Sequence, residues 1–177
     1  MTRCFDFLFS LIGLMFLSPL LVLIFLIGLF DNGSPLFIQS RVGQNFKSFS
    51  LIKFRTMPKG VRSAGTHLIK DIKLTSFGNF LRTTKIDEIP QLLNVLFGDM
   101  SLVGPRPCLF NQRRLISERK KRGVFKVRPG ITGLAAINGI DMKTPTLLAK
   151  IDQKMIKDMS LYKYFYYIFK TIFKIIL

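Results

Sequence analysis

The chain has 177 residues, 49% of them hydrophobic, and carries 27 Lys and Arg against 10 Asp and Glu, a formal net charge of +17. A disordered basic tail would lack the apolar residues, and an ordinary soluble domain would not pair them with so large a charge. What is left is a membrane protein with a basic cytoplasmic face, or a basic binder with a membrane anchor.

The two properties are segregated along the chain. Residues 1–31 hold one basic group (Arg3) and two acids (Asp6, Asp31), and residues 32–177 hold the other 26 basic and 8 acidic groups. Phe7 to Phe30 is a run of 24 residues without a charge, at about 1.5 Å per residue long enough to cross the hydrocarbon core as a helix. A signal peptide would need a basic start, a shorter core and a small-residue cleavage site. Here Asp31-Asn32-Gly33-Ser34-Pro35 follows, so a retained anchor is expected over 1–31 and a catalytic or binding body over 32–177. Ser18-Pro19 lies at the centre of the run. Proline removes a backbone donor and clashes with the preceding turn. The result is either a kinked span or a re-entrant helix-break-helix that returns to the same face. Residue physics leaves both open, and either way the basic body belongs in the cytoplasm.

Leu36 to Val42 and Phe46 to Phe54 read as the strands of a hairpin around Gly43-Gln44-Asn45. Residues 59–74 are polar and basic, a loop or short helix. Thr75 to Thr84 reads as a short helix and its exit. Asp87 to Leu96 has helical periodicity, and Thr84-x-x-Asp87 resembles a capping box. Pro90 fits a first helical turn, which would instead leave Asp87 and Glu88 at the break. Gly98 to Pro107 reads as a loop. Asn111 to Arg122 reads as a basic helix, Arg128 to Gly139 as a turn, a short buried strand and a turn, and Pro145 to Met159 as a helix. In Leu161 to Leu177, Lys163, Lys170 and Lys174 share one helical face amid aromatics, as in a helix lying in the membrane interface; a core helix is the competing reading. The fold class expected is α+β, mainly helical, with a small β-hairpin and amphipathic interfacial helices.

Few residues carry chemistry. Cys4 and Cys108 have no metal-ligand spacing and His67 is the sole histidine, which argues against a zinc site or a Cys-His pair and for a reducing compartment. The adjacent acids Asp87-Glu88 lie amid Arg82, Lys85 and Arg106. At a helix start they would complement the macrodipole; at a break, one would be a nucleophile and the other a Mg²⁺ ligand. Gly104-Pro105-Arg106-Pro107 holds an arginine between rigid flanks, suited to gripping a phosphate. Residues 106–128 hold nine basic groups and one acid, attractive to anionic membrane lipids. No nucleic-acid-binding signature, P-loop or dinucleotide fingerprint is present, so nucleic acid is not an expected partner.

Ser18-Pro19 in an apolar amino-terminal helix, KFRTM (53–57), LTSFGNFLRTTKIDEIPQLLNVLFGDMSLVGPRP (74–107) and VRPGITGLAAING (127–139) occur in an order that closely resembles the bacterial sugar transferase family, the monotopic polyprenyl-phosphate phosphoglycosyl transferases, in their minimal catalytic form. The resemblance implies a re-entrant membrane helix broken at Ser18-Pro19 and a place at the bacterial inner membrane, with the catalytic domain on the cytoplasmic face. It implies transfer of a phosphosugar from a UDP-sugar to polyprenyl (undecaprenyl) phosphate, with release of UMP, as the first membrane step of a surface glycan. By the same resemblance Asp87 is the nucleophile that forms a phosphosugar-aspartyl intermediate, and Glu88 is the ligand of a Mg²⁺ cofactor. Lys53, Arg55, Arg82 and Arg106 lie in matching motifs and are candidate phosphate contacts. Ile140 stands where many relatives have an arginine. The sugar, the lipid chain length and the downstream glycan are not indicated, and a homodimer is open without a residue pattern to argue for it. The alternative is a non-enzymatic membrane-anchored adaptor that binds anionic lipid or nucleic acid and has no need of Asp87, Glu88 or Mg²⁺.

Overall fold

The computed structural model describes residues 2–58 and 74–176, so the loop or short helix expected over 59–74 lies almost wholly outside the described residues. The apolar run forms one helix, α1 (Thr2–Asn32). It continues through Ser18-Pro19 without a gap in the helical backbone. Proline cannot donate to the Met15 carbonyl one turn back, and the Ser18 hydroxyl donates to it instead, at 2.8 Å. A short side chain thus satisfies the acceptor that proline orphans.

One stripe of α1 faces the rest of the chain: Asp6, Ser10, Leu17, Leu21, Ile24 and Gly28 are less exposed than their neighbours, and Arg3 and Gly13 meet Leu96 and Leu92 on the same stripe, at the helical spacing of three and four. The rest is bare hydrocarbon, with Phe16 83% and Phe30 91% exposed. Among the described residues this is the one helix long and apolar enough to cross a membrane. Both of its ends touch the body. Arg3 donates to the carbonyls of Val95 and Leu96, where a cation complements a helix carboxyl terminus. Ile24 packs in a cluster with Phe54 and Leu81, and Asp31 accepts from Thr75 at 2.9 Å.

Strands β1 (Leu36–Val42) and β2 (Ser48–Phe54) form the expected antiparallel hairpin, joined by a short turn, with Phe37 opposite Lys53, Gln39 opposite Leu51 and Arg41 opposite Phe49. Helix α2 (Ser76–Thr83) is capped by Thr75, whose side chain accepts from the Gly78 amide. Helix α3 (Gln91–Phe97) begins after Pro90 and ends on left-handed Gly98. Asn94 binds it to β2, accepting from the Ile52 amide at 3.0 Å and donating to the Ser50 carbonyl at 2.8 Å.

Two expectations are corrected. The stretch 98–107 is not all loop: β3 (Ser101–Val103) pairs in parallel with β4 (Gly130–Thr132), across a connection that contains α4 (Arg113–Lys121). Three residues give too short a pattern to be read as a strand. After the buried strand at 130–132, Leu134–Ile137 forms a helical turn, α5, rather than strand and turn. Helices α6 (Pro145–Lys157) and α7 (Leu161–Ile176) complete a mainly helical fold. Helix α7 has one face in the core, where Tyr164 and Tyr167 are buried in a cluster with Val103 and Met155, while Tyr162, Phe169 and Phe173 are exposed. Ile140 packs against the cluster of Val42, Cys108, Leu115, Phe125, Ala135 and Leu148, an apolar role that an arginine would not fill.

A buried carboxylate fastens α1 to this body. Asp6, 1% exposed, accepts from the Ser101 hydroxyl at 3.0 Å, the Leu102 amide at 2.9 Å and the Tyr164 hydroxyl at 2.7 Å. Asp6→Leu would strand three buried donors and is expected to cost about 2–3 kcal/mol. Thermal unfolding of the full chain in detergent measures it; an unchanged Tm would remove the latch.

Candidate active site

The acids do not start a helix. Asp87 and Glu88 occupy a single 3-10 turn, Ile86–Glu88, between α2 and α3. The capping box expected from Thr84 is absent: its hydroxyl donates backwards to the Phe80 and Leu81 carbonyls at 2.8 and 3.2 Å. Lys85 makes the sharp corner with a left-handed φ of 61°, a conformation that non-glycine residues hold only where the surroundings impose it. Ile86 is the anchor, packed against Phe54, Leu81 and Ile24. The corner leaves Asp87 only 4% exposed and Glu88 partly exposed beside Arg106.

The second wall is the segment 104–107. The Gly104 amide donates to Thr132 at 2.8 Å, and the Gly130 amide donates to Pro105 at 2.9 Å. The backbones approach so closely that a Cβ on Gly130 would lie 2.0 Å from the Gly104 nitrogen. That contact explains why the Gly-Pro-Arg-Pro and Arg-Pro-Gly-Ile-Thr motifs go together. Arg106, whose side chain is half exposed, reaches Glu88 Oε1 at 2.5 Å through Nη2. Beneath it, Arg119 of α4 donates through Nη1 to the Arg106 carbonyl at 2.8 Å and through Nε to Asp152 Oδ2 of α6 at 2.9 Å, with Nη2 2.7 Å from the same oxygen. Arg119 and Asp152 are 2% and 1% exposed.

The third wall is the inner face of the hairpin. Strand alternation and the observed register put Phe37, Gln39, Arg41, Leu51 and Lys53 on one face. Lys53 stands 5.4 Å over the Phe37 ring, and Arg41 donates to the Pro107 carbonyl at 3.1 Å and to Gln39 at 2.5 Å.

These walls set the electrostatics. Burial pushes the Asp87 carboxyl above its usual range and the Glu88 charge adds to this, while Lys53, Lys85 and Arg82 oppose. Burial also acts on Glu88, but the Arg106 charge and hydrogen bond overcome it and hold that carboxyl low. Adjacent carboxylates with pKa values pushed apart are a common mark of divided chemical roles. Burial pushes the Lys53 ammonium down, partly offset by Asp87 and Glu88. Burial raises the Cys108 thiol, as suits a structural cysteine.

Of the residues expected in the site, Lys53, Arg82, Arg106, Asp87 and Glu88 are brought together. Arg55 shares the Phe37 ring with Lys53 and is also held by the link between α1 and the hairpin. It donates to the Ser34 and Leu36 carbonyls at 3.0 and 3.2 Å and lies 5.4 Å over Phe37, bracing the link between α1 and the hairpin. Ser18 and Pro19 are exposed within α1. The residues that sequence reasoning missed are Arg41, Lys85 as the corner, and the pair Arg119–Asp152. Arg41 had a readable signal, since it shares strand parity with Gln39 and Phe37. Among the described residues no group of three or more His, Cys, Asp or Glu forms a ready metal cage.

Comparison with known proteins gives this geometry a context. A family model described as bacterial sugar transferase matches residues 1–177. An uncharacterized sugar transferase of Bacillus subtilis is 51% identical over 108 residues, covering 60% of this chain and 53% of that one. A UDP-glucose:undecaprenyl-phosphate glucose-1-phosphate transferase of Klebsiella pneumoniae is 38% identical over 187 residues, covering 97% of this chain and 39% of that one. An exopolysaccharide production protein of Rhizobium meliloti is 35% identical over 190 residues, covering 96% of this chain and 83% of that one. The chain thus spans about half or less of the first two relatives and most of the third.

Proposed function

Since the chain belongs to the bacterial sugar transferase family, we propose that it transfers a phosphosugar from a UDP-sugar to undecaprenyl or a related polyprenyl phosphate and releases UMP, as a membrane step in exopolysaccharide or other surface glycan synthesis. The observation that carries the reading is the buried Asp87 beside Glu88, ringed by Lys53, Arg82, Lys85 and Arg106. The names of the Klebsiella and Rhizobium relatives point the same way.

Asp87 attacks the β-phosphorus of the donor. The bond from that phosphorus to the bridging oxygen breaks, and UMP departs with the oxygen and the electron pair. A phosphosugar is left on the Asp87 carboxylate as a mixed anhydride. An oxygen of the polyprenyl phosphate then attacks the same phosphorus, and Asp87 leaves unchanged. A carboxylate nucleophile divides one displacement into two, so that a single site serves a soluble and a lipid substrate in turn. Lys53, Arg82 and Arg106 neutralise charge on the phosphoryl oxygens. Glu88 would hold Mg²⁺, an ion commonly bound through one or two carboxylates together with substrate phosphate. Bound there, the ion would lessen the repulsion between the carboxylate and the phosphates.

The same reading makes the enzyme monotopic, on the cytoplasmic face of the inner membrane, with α1 as a re-entrant helix. Its support is that α1 is held to one body along its length, from Arg3 and Asp6 past Gly13 to Ile24 and Asp31. A perpendicular helix of 31 residues, about 46 Å long, would touch a cytoplasmic body at one end only. Exposed aromatics on α7 and the basic body suit the lipid headgroups. The non-enzymatic adaptor accounts for the charge but leaves the buried acid and the family membership unused.

Incubating the full chain with Mg²⁺, a UDP-sugar and undecaprenyl phosphate is expected to release UMP. Release of UDP would refute the mechanism. Chelation by EDTA is expected to stop turnover and added Mg²⁺ to restore it; activity that survives EDTA would remove the metal. Without the lipid acceptor, intact-mass analysis across a panel of UDP-sugars should show a phosphosugar adduct and identify the sugar.

A further inference from the structure

Arg41 has no place in the roles assigned above, yet it stands at the site. We infer that Arg41 is a further substrate-binding residue of this site, a guanidinium that grips a phosphoryl oxygen beside Arg106. The inference rests on the proposed transfer reaction and extends its phosphate contacts to the hairpin. Arg41 shares the inner hairpin face with Lys53. Its Nη1 donates to Pro107, the residue next to Arg106, and the Val42 amide donates to Cys108 at 3.0 Å, so the end of β1 is stitched to the two residues that follow Arg106. Its Nε is buried and has no acceptor, a costly state for a charged donor. Of the fork's five N–H groups, Nη1 and Nη2 each donate once, which leaves donors for an anion.

Charge supports the same conclusion. Lys53, Arg82, Lys85, Arg106 and Arg41 act on Asp87, Glu88 or one another, five cations against two carboxylates. Arg41 and Arg106 repel each other, and burial with that repulsion lowers the Arg41 pKa to about 10. An anionic phosphoryl group between the guanidiniums would relieve the repulsion. Both a nucleoside diphosphate and a polyprenyl phosphate carry such a group.

Binding of UDP, farnesyl phosphate and inorganic pyrophosphate to the full chain in detergent tests the assignment. Arg41→Gln is expected to weaken UDP or farnesyl phosphate binding by about tenfold or more, the scale of a charge-assisted hydrogen bond. The arm that shows the loss identifies the substrate whose phosphoryl group is held. Arg41→Lys should recover part of the affinity, since it keeps the charge and loses the fork. Lys121→Gln, at an exposed position near the end of α4, should leave binding as it is and so excludes a bulk-charge effect. Unchanged affinity in Arg41→Gln overturns the assignment; if that variant does not fold, unchanged affinity in Arg41→Lys overturns it. Arg41-dependent binding of pyrophosphate alone would keep the subsite and remove the proposed reaction. A wild type that binds none of the probes removes both.

Discussion

Asp87→Asn is expected to lower turnover by about a thousandfold or more while leaving the protein folded. Asparagine has nearly the shape of aspartate, but its amide is a poor nucleophile and cannot form the mixed anhydride. The fold should not suffer, because burial already disfavours the charged carboxylate at this position and a neutral side chain removes that cost. Loss of activity with an unchanged or raised Tm is therefore the expected pair of results. The phosphosugar adduct seen by intact mass should vanish with the activity. A variant that keeps its activity would show that the buried acid is structural and that another group attacks the donor.

The second large effect is expected where no substrate binds. Asp152→Ala leaves the Arg119 guanidinium, 2% exposed, as an uncompensated buried charge. Breaking such a pair from one side costs about 3–5 kcal/mol, which for a chain of this size lowers Tm by roughly 6–20 °C. Thermal unfolding followed by circular dichroism in detergent measures this. The double variant Arg119→Met with Asp152→Leu should recover much of the loss, because a well-packed apolar pair of similar volume is often as stable as the buried ions. It would not restore the bond from Arg119 Nη1 to the Arg106 carbonyl. The double variant is thus expected to be stable and yet slower than wild type, through a less rigid Arg106. A single Asp152→Ala variant with an unchanged Tm would show that water reaches Arg119.

The local elements were largely legible. The uncharged run, the hairpin, the short helix after Thr75 and the helices at 113–121 and 145–157 rest on periodicity and punctuation within a few residues, and the structure has them close to where they are expected. The misreadings have a common cause. Thr84 and Asp87 have capping-box spacing, but Ile86 packs into the Phe54–Leu81 cluster and turns the chain at Lys85. Strand β3 exists because β4 lies beside it, not because three residues favour extension.

By itself the sequence determined the chemical inventory: an apolar anchor, a basic body with few acids, two adjacent carboxylates, and the motifs that mark the family. It also determined that a cysteine or zinc mechanism was a poor fit. Only the tertiary structure decided which groups meet. Arg3 on the end of α3, Asp6 with Tyr164, Arg41 with Pro107 and Arg119 with Asp152 join residues between 66 and 158 positions apart except for the last, at 33. Such pairs leave no local signal, because what selects them is the loss of water around a charge. That loss exists only once distant segments have packed together.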